Sequence, residues 1–125
     1  MPSDFSSFLL LAGRLLLGGA FLYFGIRNFI SFPKLRPGFA AKGLPMPDLA
    51  LTIGLLLQTA GGALVLFGLF TPWGALAIVL FLVLATVLYH PFWAFEGEER
   101  APHVNAFLTN CALVGGALAV MAATL

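Results

Sequence analysis

Four apolar runs of about twenty residues each, parted by three breaks of unequal length, limit what this chain can fold into more than any other feature. A helix rises about 1.5 Å per residue and needs about 20 apolar residues to cross the hydrocarbon core of a bilayer. The segments near 8–30, 48–70, 73–92 and 105–124 have that length. Lipid offers no partner to a free backbone N–H or C=O, so each segment is expected to be a helix. The expected fold is an all-α membrane protein, an antiparallel four-transmembrane-helix bundle, with residues 1–125 forming one domain. Composition agrees with this. Only 9% of the residues are charged and 61% are apolar, whereas a soluble domain carries about a quarter charged residues. A chain this poor in charge cannot cover a water-facing surface, which makes the lipid bilayer its first expected partner.

Net charge is +1, which gives no footing for nucleic-acid binding. The single cysteine, Cys111, rules out an internal disulfide or a multi-cysteine metal site. Its apolar surroundings in the sequence read as those of an inert packing thiol. The opening stretch "MPSDFSSFLLLAGR" has Asp4 where a signal peptide would have a basic region. The first run is therefore expected to stay in the mature protein as a helix.

The connectors differ sharply. The first, residues 31–47 ("SFPKLRPGFAAKGLPMP"), is long, basic and rich in Gly and Pro. The second, Thr71-Pro72, is so short that it forces the flanking spans into a tight hairpin. The third, residues 93–104, is acidic, with Glu96, Glu98 and Glu99. Hairpin connectivity puts the first and third connectors on one side and both termini on the other. Of the 6 basic residues, Arg27, Lys34, Arg36, Lys42 and Arg100 lie on the connector side and Arg14 alone does not. The positive-inside rule then makes residues 31–47 and 93–104 cytoplasmic and the termini external. Trp73, Tyr89, Phe92 and Trp93 fall where interfacial aromatic belts form.

Helical periodicity predicts which faces meet. Steps of three and four connect Arg14, Gly18, Phe21, Gly25 and Asn28 in the first span. They connect Gly54, Gln58, Gly61, Val65 and Gly68 in the second. In the fourth they connect Asn105, Thr109, Ala112, Gly116, Ala119 and Ala123. Small residues let helices approach closely in lipid, so Gly18, Gly25, Gly54, Gly61 and Gly116 are expected to pack helices together. The third span, with Thr86 as its only polar interior residue, reads as the most lipid-exposed. "GGAL" occurs at 61–64 and again at 115–118, a repeat too short to establish a duplicated hairpin.

Few residues can carry chemistry. Arg14 can reach outward to headgroups, or inward to the fourth helix, Gln58 or a ligand carbonyl. Gln58 sits mid-span, where an unpaired amide costs several kcal/mol, so it must have a partner: another helix or a ligand. His90 can carry a proton, bind a metal or donate to a quinone carbonyl. A metal site from His90, His103 and one of the nearby glutamates matches no known zinc spacing, so no metal is expected. The glutamates read as solvated. No nucleophile elbow, phosphate loop or Cys/His pair is present.

Several pieces, taken in order, resemble the DoxX family of small four-helix bacterial membrane proteins. They are "GRLLLGGAFLYFGIRNFI", the "GLPMP" connector, "LLLQTAGGALVLFGLFT", His90-Pro-Phe-Trp93, and Phe107-Leu-Thr-Asn110 before Gly115-Gly116. The resemblance covers nearly the whole chain. Where that family commonly has an acidic residue in the second span this chain has Gln58, which removes a titratable group and leaves a hydrogen-bonding one. Arg27 and Thr109 stand where basic residues, lysine in the first case, are frequent. The resemblance implies links to thiosulfate:quinone oxidoreductase and other redox complexes, with Arg14, Gln58, His90, Trp93 and Asn110 as the shared functional core.

The leading expectation is a multi-pass membrane subunit or partner of an oxidoreductase complex, with a quinone as its ligand. Arg14 or His90 would contact the quinone carbonyl, and Phe21, Phe24, Tyr89 and Phe92 would wall the pocket. No covalent cofactor is expected, and electrons would come from a partner. Rival expectations are a structural accessory subunit that binds only lipid and a small transporter or lipid-handling protein. Other membrane subunits or a second copy are the expected protein partners. The orientation is testable by reporter fusion. Alkaline phosphatase fused after residue 125 should be active and fusions within 31–47 or 93–104 silent, with the reverse pattern for green fluorescent protein.

Overall fold

The structure, a computed structural model, describes residues 3–125; Met1 and Pro2 of the expected domain lie outside the described residues. The helices are α1 (Ser3–Ile30), α2 (Phe32–Ala40), α3 (Pro47–Phe67), α4 (Thr71–Tyr89) and α5 (Arg100–Thr124). Among the described residues there is no strand, and four helices are long and apolar enough to cross a membrane. They run alternately up and down. Two short 3₁₀ turns, Phe92–Ala94 and Gly97–Glu99, lie between α4 and α5.

Chain breakers set the ends. Gly68 takes the left-handed conformation (φ 72°) that closes α3, and its amide caps the Leu64 carbonyl. Phe70, also left-handed (φ 48°), precedes Thr71, and Pro72 is suited to the first turn of α4 because it has no N–H to satisfy. Pro91 stops α4, which ends at Tyr89, short of the expected residue 92. The first connector, expected as a loop, holds a helix. In α2, Phe32, Leu35 and Phe39 recur at helical spacing, and Pro33 sits at its start.

α3 is the central helix, and its adjacent glycines face different neighbours. A Cβ at Gly62 would lie 2.9 Å from the Gly18 carbonyl oxygen of α1, and one at Gly18 would lie 2.8 Å from the Gly62 oxygen. A Cβ at Gly61 would lie 2.9 Å from the Gly74 oxygen of α4, and one at Gly74 would lie 3.0 Å from the Gly61 oxygen. Further along α1, Gly25 is pressed against Thr59 in the same way. Adjacent residues point about 100° apart on a helix, so Gly61 and Gly62 let α4 and α1 approach from two sides at once.

The termini half of the bundle is closed. Phe21, Val65, Ala75, Ile78, Leu82, Ala117 and Val120 form its buried core, with Leu10, Leu17, Leu113 and Met121 packed against it. Phe21 meets Phe81 edge to face, ring centroids 6.1 Å apart. Arg14 lies in this half. Its Nε donates to the Val65 carbonyl at 3.0 Å and its Nη2 to the Leu66 carbonyl at 3.3 Å. Those oxygens belong to the last turn of α3, where carbonyls lack intrahelical donors and a cation also complements the helix dipole. A Cβ at Gly68 would collide with the Arg14 guanidinium.

Three expectations are corrected. α4 is not the most lipid-exposed span: it buries Thr71, Gly74, Ala75, Ile78, Leu82 and Thr86, whereas α5 buries only Ala117 and Val120. The small stripe of α5, including Gly116, faces outward, and a Cβ at Gly116 would meet nothing within 4 Å. α5 instead packs through a face turned by one residue, Asn110, Ala117 and Val120, because the Asn110 amide finds Thr86 on α4. Gly54 likewise touches no other helix and lines a cavity. Cys111 is exposed on α5 rather than packed.

These contacts predict an asymmetry between the two "GG" pairs. Gly62→Val should cost about 1–3 kcal/mol or more through overpacking, and Gly116→Val should stay within about 0.5 kcal/mol of the parent. Reversible unfolding in mixed micelles measures both; equal costs would contradict this account of the packing.

Candidate functional site

The connector half of the bundle is open. Between α3, α4, the C-terminal end of α1 and the first turns of α5 lies a cavity of about 530 Å³. Its apolar wall includes Leu51, Gly54 and Leu55 of α3 and Ala85 and Leu88 of α4, with Phe81 on the side nearest the closed core. α2 covers it. Leu35 and Phe39 line the cavity, while Phe39 packs with Leu51 and Leu55 in a second apolar cluster. Lys34 and Arg36, on the other face of α2, are exposed, and Arg36 pairs with Asp48 at the start of α3 at 2.6 Å. A short helix with Phe and Leu beneath and cations above is suited to the membrane surface.

The polar groups in the wall are Asn28, Tyr89, His90 and Asn110. Asn28 Nδ2 donates to Gln58 Oε1 at 3.0 Å, and Asn110 Nδ2 donates to Thr86 Oγ1 at 2.9 Å. Each asparagine has a buried polar side chain behind it, so its amide is held in one orientation while donor and acceptor capacity remains unused. His90 follows the last residue of α4. Its amide donates to the Thr86 carbonyl at 2.9 Å and its carbonyl accepts from the Phe92 amide at 2.8 Å, so the backbone that carries its ring is held on both sides. Tyr89 lies beneath the Lys42 ammonium, 4.5 Å from the ring centroid, and beside Phe39. An apolar chamber with a few fixed polar groups is the usual form of a small-molecule site, and its volume falls in the usual range.

Of the five candidates, the structure brings His90 and Asn110 into the cavity wall and puts Gln58, only 5% exposed, directly behind Asn28. Arg14 is corrected from a ligand contact to a cap on α3. Val65, which it binds, is ten residues beyond Leu55, or about 15 Å along the helix. Trp93 is 60% exposed and stands outside the cavity. Of the aromatic walls expected, only Tyr89 lines it. Phe21 is in the closed core, Phe24 is exposed, and Phe92 packs edge-on against Phe107 at 5.1 Å. The wall also takes in Asn28 and the underside of α2, which are not among those five. The spacing of Phe32, Leu35 and Phe39 was the available signal for α2; for Asn28 it was membership of the α1 stripe. His90 and His103 meet, but among the described residues no group of three or more His, Cys, Asp or Glu side chains could hold a metal ion.

Four helices long and apolar enough to cross a bilayer, around a largely apolar chamber, define a multi-pass membrane protein with an internal cavity. The DoxX family model matches residues 9–91, and the chain belongs to that family. It is similar to Inner membrane protein YphA of Escherichia coli (strain K12), 28% identical over 110 residues that cover 88% of this chain and 79% of the relative. No solved structure gives a significant match. The family match includes α1 to α4 and stops at Pro91, so His103 and Asn110 lie beyond it.

The Asn28–Gln58 bond joins α1 to α3 beside the cavity. A double-mutant cycle of Asn28→Ala and Gln58→Ala should give a coupling of about 0.6 kcal/mol and no more than about 1.7 kcal/mol, as for other interhelical bonds in membranes. Strict additivity would show that the pair makes no contact in the folded protein.

Proposed function

We propose that this protein binds a quinone-class molecule in the cavity between α1, α3, α4 and α5, as a membrane subunit or partner of an oxidoreductase system. The supporting observation is the cavity itself: an apolar chamber of about 530 Å³ whose wall carries Asn28, His90 and Asn110. A quinone head offers a flat apolar ring and carbonyl oxygens. The ring suits Phe39, Leu55, Phe81 and Leu88, and the oxygens suit donors from an imidazole or an asparagine amide. The isoprenoid tail would leave toward Leu84 and Val87, which line the cavity and are themselves exposed. In this reading electrons come from a partner protein. The connector end, where the cavity lies, would be the cytoplasmic side of the inner membrane, given its excess of basic residues.

A second reading, an accessory subunit that holds only lipid, is supported by the outward stripe of small and polar residues on α5, which suits another helix. One experiment separates the two. The chain is purified in mild detergent with its native partners, and its small molecules are identified by mass spectrometry. The first reading expects quinone at near-stoichiometric amounts. His90→Ala and Asn110→Ala should each lower retention about tenfold, the effect of losing one hydrogen bond of about 1.4 kcal/mol. Phospholipid alone, or quinone retention unchanged by both substitutions, would reject the quinone reading.

A further inference from the structure

We propose that His90 and His103 form a two-imidazole proton conduit from the loop-side water into the cavity, an inference that rests on the ligand reading above. Their Nδ1 atoms are 3.2 Å apart, with ring centroids 5.4 Å apart. Two imidazole nitrogens attract at that distance only when one carries a proton and the other a lone pair. The contact therefore couples the tautomers. The ring that donates from Nδ1 has a bare Nε2, and the ring that accepts at Nδ1 carries its proton on Nε2. Among the described residues neither Nε2 has a hydrogen-bond partner, and neither is fully buried. Among the described residues, Thr59 Oγ1 is the only fully buried side-chain nitrogen or oxygen left without a partner.

The two rings belong to different surroundings. His90 lines the cavity and His103 does not. His103 lies on the first turn of α5, stacked on Phe95 with centroids 4.0 Å apart and planes 11° apart. Phe92 packs on Phe107 and under the Arg100 guanidinium, which pins the intervening loop to α5. Lys42, from the connector before α3, acts on His90 electrostatically, and the charged or titratable groups close to the pair along the chain are Tyr89, Glu96, Glu98, Glu99 and Arg100. Among the described residues no carboxylate joins the imidazoles to make a metal-binding group.

Transfer balances as follows. A proton from water binds the bare Nε2 of His103. His103 passes its Nδ1 proton across the 3.2 Å contact to His90 Nδ1. His90 then releases its Nε2 proton to an acceptor in the cavity, such as a carbonyl or phenolate oxygen. One proton enters, one leaves, and net charge is unchanged. Both rings finish in the opposite tautomer, so the conduit resets by a ring flip or by passage in reverse.

The test uses the full chain, ¹⁵N-labelled at histidine, in phospholipid nanodiscs. Expected are a ¹⁵N–¹⁵N coupling between the two Nδ1 atoms and complementary Nε2 states, one protonated and one bare. The two rings should report on each other, with protonation of one shifting the ¹⁵N signals of the other. His103→Phe should abolish the coupling and leave His90 titrating in a single step; His103→Gln, which keeps a polar side chain, should do the same. In a pH-jump measurement with para-nitrophenolate as the cavity probe, both variants should slow its protonation on the order of a hundredfold. Independent titration with identical Nε2 states overturns the conduit whether or not the probe binds. Inter-ring coupling without probe binding supports the shared proton and instead overturns the ligand reading of the cavity.

Discussion

Helices in lipid gain nothing by hiding apolar surface from one another, so they associate where their backbones can come close. In this chain the closest approaches converge on α3, where Gly61 faces Gly74 of α4 and Gly62 faces Gly18 of α1. Each of these glycines lies opposite a partner glycine at a spacing that a methyl group would not tolerate. The remaining architecture follows from having α3 in the middle. α1 and α4 are fixed on either side of it, and α5 is carried by α4. The α1–α3 contact is extended at one end by Arg14 on the last carbonyls of α3, and at the other by Asn28 on Gln58.

That arrangement leaves the two halves of the bundle unequal. Toward the termini, glycine crossings and the Phe21–Phe81 contact close the interior. Toward the connectors no glycine pair draws the helices together, and Gly54 contributes only empty space beside the cavity. The space that remains is roofed by α2, whose apolar face is short and whose tether to α3 is an exposed ion pair between Arg36 and Asp48. Exposed pairs of this kind are worth at most about 1 kcal/mol. The roof therefore depends chiefly on Phe39 with Leu51 and Leu55. The open half is also where polar side chains gather, with Asn28 backed by Gln58 and Asn110 by Thr86.

Much of the fold was legible beforehand, since lipid tolerates few alternatives to an apolar helix of sufficient length. The α1 stripe was legible too, because steps of three and four tie Gly18 and Gly25 to the two polar residues Arg14 and Asn28. The α5 stripe misled for the opposite reason. Ala and Gly are so frequent in α5 that several faces look small, and the choice among them fell to one polar residue, Asn110, whose partner is on another helix. Arg14 was legible as inward-facing, but its acceptors are backbone carbonyls, which carry no side-chain signature. The helix α2 was obscured by Pro33, Pro37 and Gly38, although its Phe and Leu keep helical spacing. His90 stood out in the sequence as a histidine at a membrane edge, and the ring it faces, thirteen positions away, became relevant only through the turn at Pro91.

The sequence by itself determined that the chain crosses a membrane with four helices, where each helix breaks, and which family it belongs to. Hydrocarbon thickness, proline geometry and the order of short motifs act locally along the chain. Only the tertiary structure decided which helix is central, which glycines touch, that Arg14 caps a helix end, and that Asn28, His90 and Asn110 share one chamber. Those outcomes depend on the rotation of each helix about its own axis. In lipid that rotation is set by a few close contacts between distant residues rather than by the apolar pattern, which is nearly the same on every face.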